Sequence, residues 1–547
     1  MSSKQNQIVN AEVVVRPEDI ERASRLPPLE YREEQVEVPR SLTRVAFGIF
    51  ASLLFLMPLC FGAVHPKTAL VSEFLVFSAV AALLIFGRAA VRNAFSSDHD
   101  RSSSRLTLFC LGALLLYACA QSVLLFFNPV AHPILGYASI APNMQQTLGA
   151  LRQMLFFLCT FVLARALFST SAAAAHRTTN ICIVVGILAA LVALAHWFSD
   201  NGMLFWTFEP EYRYVSERAR WPFVNPNHLG NFLLPVFFLV IARVLESVTS
   251  LQRLRESKGA GRDKFLSLIL SSRTFQRGVL RIAFLLIAVM IILIAIIGTQ
   301  SRGSWLGLSL GALFSIGGFL LWRVARRGKE RKLSPTFALH PAQVHSNHHR
   351  RNQDSKQLTL DQIRELLPKL VLPVAIVCAL LMFFFFLNQR GAELLAGRID
   401  YGLMYSKDDT RWQFYSDSLP ILREHLFFGV GLGAWASAYP VYMSPMLAGV
   451  TPVYLHSDPY QLIIELGIVG ILPLLLLVTV IFGRCLARIR TVGSEDALRI
   501  LGLASGIVAF FAASCLDFPF HIPAILFLVA THLALTVFYV DRQDVSP

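Results

Sequence analysis

The chain has 547 residues, 55% of them hydrophobic and only 15% charged, with a formal net charge of +14. That balance excludes an ordinary soluble enzyme and describes a polytopic membrane protein. The positive excess follows topology and calls for no nucleic-acid partner.

Apolar residues gather in runs of about 20, the length that crosses a hydrocarbon core of about 30 Å as a helix. They predict about twelve spans, near 44–63, 68–87, 106–127, 147–168, 180–198, 227–246, 279–298, 304–322, 369–388, 459–483, 496–515 and 522–540. The segment before the first span is polar, with charges of both signs and no apolar core, which reads as a cytosolic tail and not a signal peptide.

Lysine and arginine collect in alternate loops. Arg88, Arg92, Arg101 and Arg105 follow the second span, and Arg253, Arg255, Lys258, Arg262, Lys264, Arg273 and Arg277 follow the sixth. The run RVARRGKERK follows the eighth, and Arg484, Arg488 and Arg490 follow the tenth. The intervening loops are nearly uncharged, so the positive-inside bias puts them on the outer face and both termini in the cytoplasm. The expected fold is an all-α polytopic membrane protein of about 12 transmembrane helices, with a large outer loop between spans 9 and 10. The expected organisation is a tail over 1–43, membrane helices over 44–246, a basic cytosolic loop over 247–278, a second membrane domain over 279–540 and a tail over 541–547. The second membrane domain includes a cytosolic loop at 323–368 and the outer loop at 389–458.

The 8 cysteines form no CxxC pair, so neither a disulfide frame nor a zinc site is indicated. His340, His345, His348 and His349 read as part of a solvated loop. No metal and no cofactor are expected.

The polar fragments that stand out all fall on the outer face: Ser216 to Asn231, Gly298 to Ser304, the loop 389–458 with the following HSDPYQLIIELGIVG, and Leu516 to Pro523. Ionisable groups at membrane depth are costly and mark function. Arg302 lies between Gly298 and Gly303, with Ser301 and Ser304 able to cap a helix starting at Trp305. A helix start beside a forked cation suits a phosphate or diphosphate, and equally a snorkelling anchor. His456 precedes a helix start in which Ser457 or Asp458 serves as N-cap and Pro459 as the first helical residue. A histidine held there suits proton abstraction from a hydroxyl. Glu465, two turns into the same span, needs a partner such as an outer-face arginine, and Gly467 and Gly470 admit a close neighbouring helix. Asp458 reads chiefly as a cap, and Glu465 as a structural ion-pair member.

In the outer loop, Arg398, Lys407, Asp408, Asp409, Arg411 and Trp412, the run GVGLGAW, and Tyr439, Tyr442 and Tyr454 have the composition of a sugar-binding lid, or of a folded cap with interfacial aromatics. Trp221, Phe223, Asn225, Asn227 and His228 form a smaller cluster of the same kind. No phosphate loop or dinucleotide fingerprint occurs.

These segments carry a resemblance. SRG at Ser301 to Gly303, the stretch from Arg411 to Gly433 with its FFGVGLGAW turn, HSDPYQLIIELGIVG, RWPFVNPNHLGN and LDFPFHIPA resemble the O-antigen ligase and polymerase superfamily of bacterial inner-membrane glycosyltransferases. The resemblance covers roughly residues 205–525, and departs from the usual His-Asn pattern in reading His-Ser-Asp at 456–458. It implies a metal-independent transfer of glycan from undecaprenyl diphosphate to an acceptor hydroxyl on the periplasmic face. The acceptor would be another glycan, a lipid A core or a protein. His456 would be the catalytic base, and Arg302, with Arg411 or Arg220, would hold the diphosphate. Glu465, Asp458, Asn227, Tyr439 and Asp517 would support the site or the glycan. The alternative is a polytopic transporter or flippase of lipid-linked glycans, although transporters place polar groups nearer the bilayer midplane.

Overall fold

The computed structural model describes residues 39–96, 102–127, 130–131, 139–140, 143–199, 203, 205–207, 218–257, 272–333, 410–447 and 449–542. The helices are α1 (Arg40–Leu59), α2 (Pro66–Phe86), α3 (Arg88–Ala94), α4 (Ser102–Phe127), α5 (Met144–Thr170), α6 (Ala172–Ser199) and α7 (Pro226–Ser257). They continue with α8 (Arg273–Gly298), α9 (Arg302–Leu333), α10 (Thr410–Glu424), α11 (Trp435–Ala438), α12 (Asp458–Ile489), α13 (Ser494–Ser514) and α14 (Pro523–Asp541). All but α3, α10 and α11 are long and apolar enough to cross a membrane, which makes 11 candidate spans among the described residues. The expected span at 369–388, together with Arg398, Lys407, Asp408, Asp409 and the histidines from 340 to 349, lies outside the described residues. The described chain is not purely helical: Val130–Ala131 pairs antiparallel with Ser139–Ile140.

Several helices run further than their apolar stretches. α7 continues to Ser257 and α9 to Leu333, where loops are expected from 247 and 323. Charged, straight-chain residues are good helix formers and extend a helix that tertiary contacts have already nucleated. Proline starts α2, α7 and α14, where its missing N–H costs nothing.

The two C-terminal spans form the centre, with 78% of the apolar window of α13 and 83% of that of α14 buried. α13 packs on α7 and α9 through backbone-close seams. A Cβ on Gly307 would lie 2.4 Å from the Ala509 carbonyl, and one on Gly502 the same distance from the Ala242 Cβ. Such small-residue contacts are the usual way for membrane helices to gain packing energy. At the opposite end from His456, Glu246 is buried between Arg243 (2.9 Å) and Arg499 (3.0 Å).

The start of α4 is capped from a distance. The Asp541 carboxylate accepts from the backbone N–H groups of Ser103 (3.1 Å) and Ser104 (2.9 Å) and from the Ser104 hydroxyl. Arg165 donates to the Ser104 hydroxyl, and Arg484 of α12 donates to that of Ser103. Thus α4, α5, α12 and α14 meet in one polar joint.

Candidate functional site

His456 sits in a turn that a non-glycine residue seldom adopts, with φ of 61°. Hydrogen bonds on both sides hold it there. The Tyr415 hydroxyl donates to the His456 carbonyl at 2.8 Å, the Leu455 N–H donates to Oε1 of Gln461, and the Asp458 N–H donates to the Asp517 carbonyl. The ring lies edge-on to Phe518 (centroids 4.8 Å apart) and parallel to Phe414 (6.2 Å). The expected cap at α12 takes another form: Ser457 occupies the N-cap without a side-chain bond. Asp458 is not a cap either, because its carboxylate accepts from the Phe520 N–H at 2.9 Å and lies 3.5 Å from His521. Coupling to a neighbouring loop has replaced local capping.

Two turns further on, α12 breaks at Gly467, whose φ of 66° and ψ of 179° are not helical. The break frees backbone groups, and residues 426–431 take them up. Val430 and Gly431 donate to the carbonyls of Ile464 and Glu465, while Ile468 and Val469 donate to those of Leu426 and Phe427. Gln121 and Tyr117 of α4 bond the carbonyls of Phe428 and Leu466, and Gln121 adds a second donor to that of Glu465. Irregular backbone inside a membrane protein persists only when satisfied in this way. Gly467 is therefore the site of a docked turn and not of a neighbouring helix, whereas Gly470 does face α4, its Cβ position lying 2.4 Å from Tyr117.

Glu465 also departs from expectation. Its carboxylate accepts from the N–H of Gly433 (2.8 Å), the N–H of Trp435 (3.4 Å) and the Gln461 amide (2.9 Å), so among the described residues its partners are the glycine turn and its own helix, not an arginine. Peptide N–H groups converging on a carboxylate do what an arginine would.

Asp517 is the hub of the polar groups. Its carboxylate accepts from the Asn231 amide at 2.9 Å and lies 3.9 Å from Nε2 of His228. Burial pushes the Asp517 carboxyl up, and Arg411, His456, the Phe518 N–H and Arg218 each draw it back. Arg411 is fixed by donating to the Leu516 carbonyl at 2.9 Å. Arg218 donates to the Thr299 carbonyl and to Oδ1 of Asn227, both at 2.7 Å. Asn227 is accordingly the partner of an arginine.

Arg302 is the first residue of α9, three positions before the expected start, because Ser301 supplies the cap by accepting from the Ser304 N–H at 3.3 Å. It adjoins the Asp517 turn, since a Cβ on neighbouring Gly303 would lie 3.0 Å from the Ala513 carbonyl and 3.5 Å from the Leu516 Cβ. Arg220 is buried, its guanidinium 4.9 Å from the Trp221 ring centroid, and burial lowers its pKa. Tyr439 is fully buried among Phe414 and Trp435, and its hydroxyl donates to Asp417, which places it in the core of the loop and away from any ligand surface.

Arg218, Asn231, Gln461, Phe518 and His521 belong to this constellation, and although each lies in a segment that stands out in the sequence, none is singled out there. Arg218 was legible in principle, since SERAR offers two arginines and only geometry selects between them. His521 stacks on Tyr454 at 4.0 Å, and burial pushes it down to about 4. Beside it opens a largely apolar cavity of about 380 Å³, whose lining includes Leu111, Phe157, Leu462 and Val478 and whose polar members include Asp458, Gln461 and His521. Among the described residues no group of three histidine, cysteine or acidic side chains is placed to hold a metal ion.

Residues 287–475 match the family described as O-antigen ligase. The matched stretch contains Arg302, Arg411, His456, Asp458 and Glu465, and stops short of Asp517. No curated protein matches the chain.

Proposed function

We propose, for a chain that carries an O-antigen ligase domain and belongs with the O-antigen ligase and polymerase superfamily, that it transfers a glycan from undecaprenyl diphosphate to an acceptor hydroxyl on the periplasmic face of the bacterial inner membrane. The supporting observation is what meets at the turn of buried Asp517: Arg411 donates to the Leu516 carbonyl, the Asp458 N–H two residues after His456 donates to the Asp517 carbonyl, and the Arg302 helix start lies alongside.

In this reading the arginines bind the donor diphosphate and stabilise its charge as the glycosyl carbon–oxygen bond breaks, the electron pair leaving with the phosphate oxygen. His456 takes the proton of the acceptor hydroxyl as its oxygen bonds to that carbon. The leaving diphosphate needs no acid, and no metal or cofactor is required of the residues named. The apolar cavity accommodates hydrocarbon, and the folded loop over 410–457 closes toward the sugars. The acceptor is a second lipid-linked glycan, a lipid A core or a protein hydroxyl.

The test uses purified protein and labelled lipid-linked glycan. His456→Gln keeps a polar side chain but offers no base near neutral pH, so transfer should fall about a hundredfold to ten-thousandfold with donor binding retained. Normal transfer by this variant removes His456 from the chemistry.

A transporter remains the second reading, favoured by the break in α12, since broken spans frame many transport sites. The break here is filled by residues 426–431, which leaves it bonded and closed. Uptake of labelled glycan into vesicles without a change in linkage would support transport.

A further inference from the structure

Gln461 is 5% exposed and makes three bonds, two to the turn before it and one to Glu465 in the next turn of its own helix. Its N–H donates to the Ser457 carbonyl, Oε1 accepts from the Leu455 N–H at 2.9 Å, and Nε2 donates to Oε1 of Glu465 at 2.9 Å. Gln461 therefore closes the loop around His456, its side chain gripping the residue before the histidine and its backbone N–H the residue after it. Neither end of the amide is interchangeable, because one faces a donor and the other a carboxylate. Glu465 sets that polarity, and Glu465 is itself oriented by the Gly433 and Trp435 N–H groups.

We propose that Gln461 is a positioning residue for His456, with Glu465 dictating which way its amide faces. The inference rests on the reading of His456 as the base. His456 holds a left-handed backbone conformation, φ 61°, that its own side chain does not favour. The Leu455 N–H bond to Gln461 and the Tyr415 bond to the His456 carbonyl supply what keeps it there. Through Glu465 the same amide joins His456 to the glycine turn docked on the helix break. A small displacement of a base from its substrate costs rate and leaves ground-state binding nearly untouched.

The polarity makes a sharp test. Gln461→Glu sets two acids against each other, and Glu465→Gln can turn an amide donor toward the Gly433 N–H. The double exchange restores a donor–acceptor match at each position except the longer Trp435 contact. Each single variant should lower turnover at saturating donor by about 10- to 100-fold with little change in KM for donor. The exchange variant should recover most of it. In a His456→Gln background, neither single variant should lower the residual rate further.

Amide hydrogen exchange at Leu455 and Gly433, measured on the folded protein, should speed up in the single variants and slow again in the exchange. Normal turnover in His456→Gln alone overturns the base assignment. A base effect accompanied by undiminished loss from Gln461→Glu in the His456→Gln background, or by no recovery in a folded exchange variant, overturns the positioning role.

Discussion

Gly429 and Gly467 each occupy the space a side chain of the other would need: a Cβ on Gly429 would lie 2.2 Å from the Glu465 carbonyl and 2.6 Å from the Gly467 nitrogen. A Cβ on Gly467 would in turn lie 2.4 Å from the Phe427 carbonyl and 2.6 Å from the Gly429 nitrogen. Both residues have positive φ, 74° and 66°, so clash and backbone strain act together. Gly429→Ala and Gly467→Ala should each cost roughly 3 kcal/mol or more. Gly483→Ala, with nothing within 4 Å, is the control. Thermal unfolding in detergent reads the difference, and a Gly467→Ala protein that melts with the control would mean the docked turn is not formed.

Arg302 opens α9 beside the Asp517 turn, and under the proposed function its fork matters as well as its charge. Arg302→Lys should be nearly as inactive as Arg302→Ala, since an ammonium cannot reproduce paired contacts to a diphosphate. Transfer assays on both variants decide it. Substantial rescue by lysine would make the residue an electrostatic anchor.

His521 gives a pH dependence of stability. Burial depresses its pKa from 6.5 to about 4, so the neutral ring is the form that fits against Tyr454. The contribution is fully present above about pH 6.5 and is lost as pH falls toward 4, amounting to about 3 kcal/mol at most. The melting temperature should therefore drop through that window, and His521→Phe should flatten the drop. An unchanged acid limb in that variant would assign the loss to other groups.

Orientation follows from the charge bias and is open to labelling. Ser301 and Ser457 are poor reporters because both are buried, whereas Met446 and Thr491 are exposed near opposite ends of the bundle. With exposed Cys60 and Cys515 replaced by serine, Met446→Cys should react with an impermeant reagent in intact spheroplasts and Thr491→Cys only after lysis. The reverse pattern would invert the protein and move the site to the cytoplasmic face.

Spans were legible because they obey a single rule, apolar length, and each expected one that falls in the described residues coincides with a helix, although α6, α7 and α9 run well past the expected bounds. The polar segments were legible as segments, because arginine, histidine and acid are conspicuous between apolar runs. Their pairings were not. Asn231 and Asp517 are 286 positions apart, and no local pattern announces that an amide in one will bond a carboxylate in the other. The partner of Glu465 was missed for a related reason: backbone N–H groups of a glycine turn leave no side-chain signature. Tyr439 misled because an aromatic in a polar loop reads as a binding surface until the loop proves to have a core of its own, built on Phe414, Trp435 and Leu455.

The cap that Asp541 places on α4 carries a consequence for biosynthesis. The first turn of α4 has donors at Ser103 and Ser104 whose acceptor lies more than 400 positions downstream, 438 for Ser103. Until α14 is inserted, that helix start must borrow water or lipid phosphate at the interface, and Arg165 and Arg484 lack the geometry they finally adopt. Without α14 that joint lacks its acceptor, so a single carboxylate ties the start of α4 to a helix far downstream in the chain.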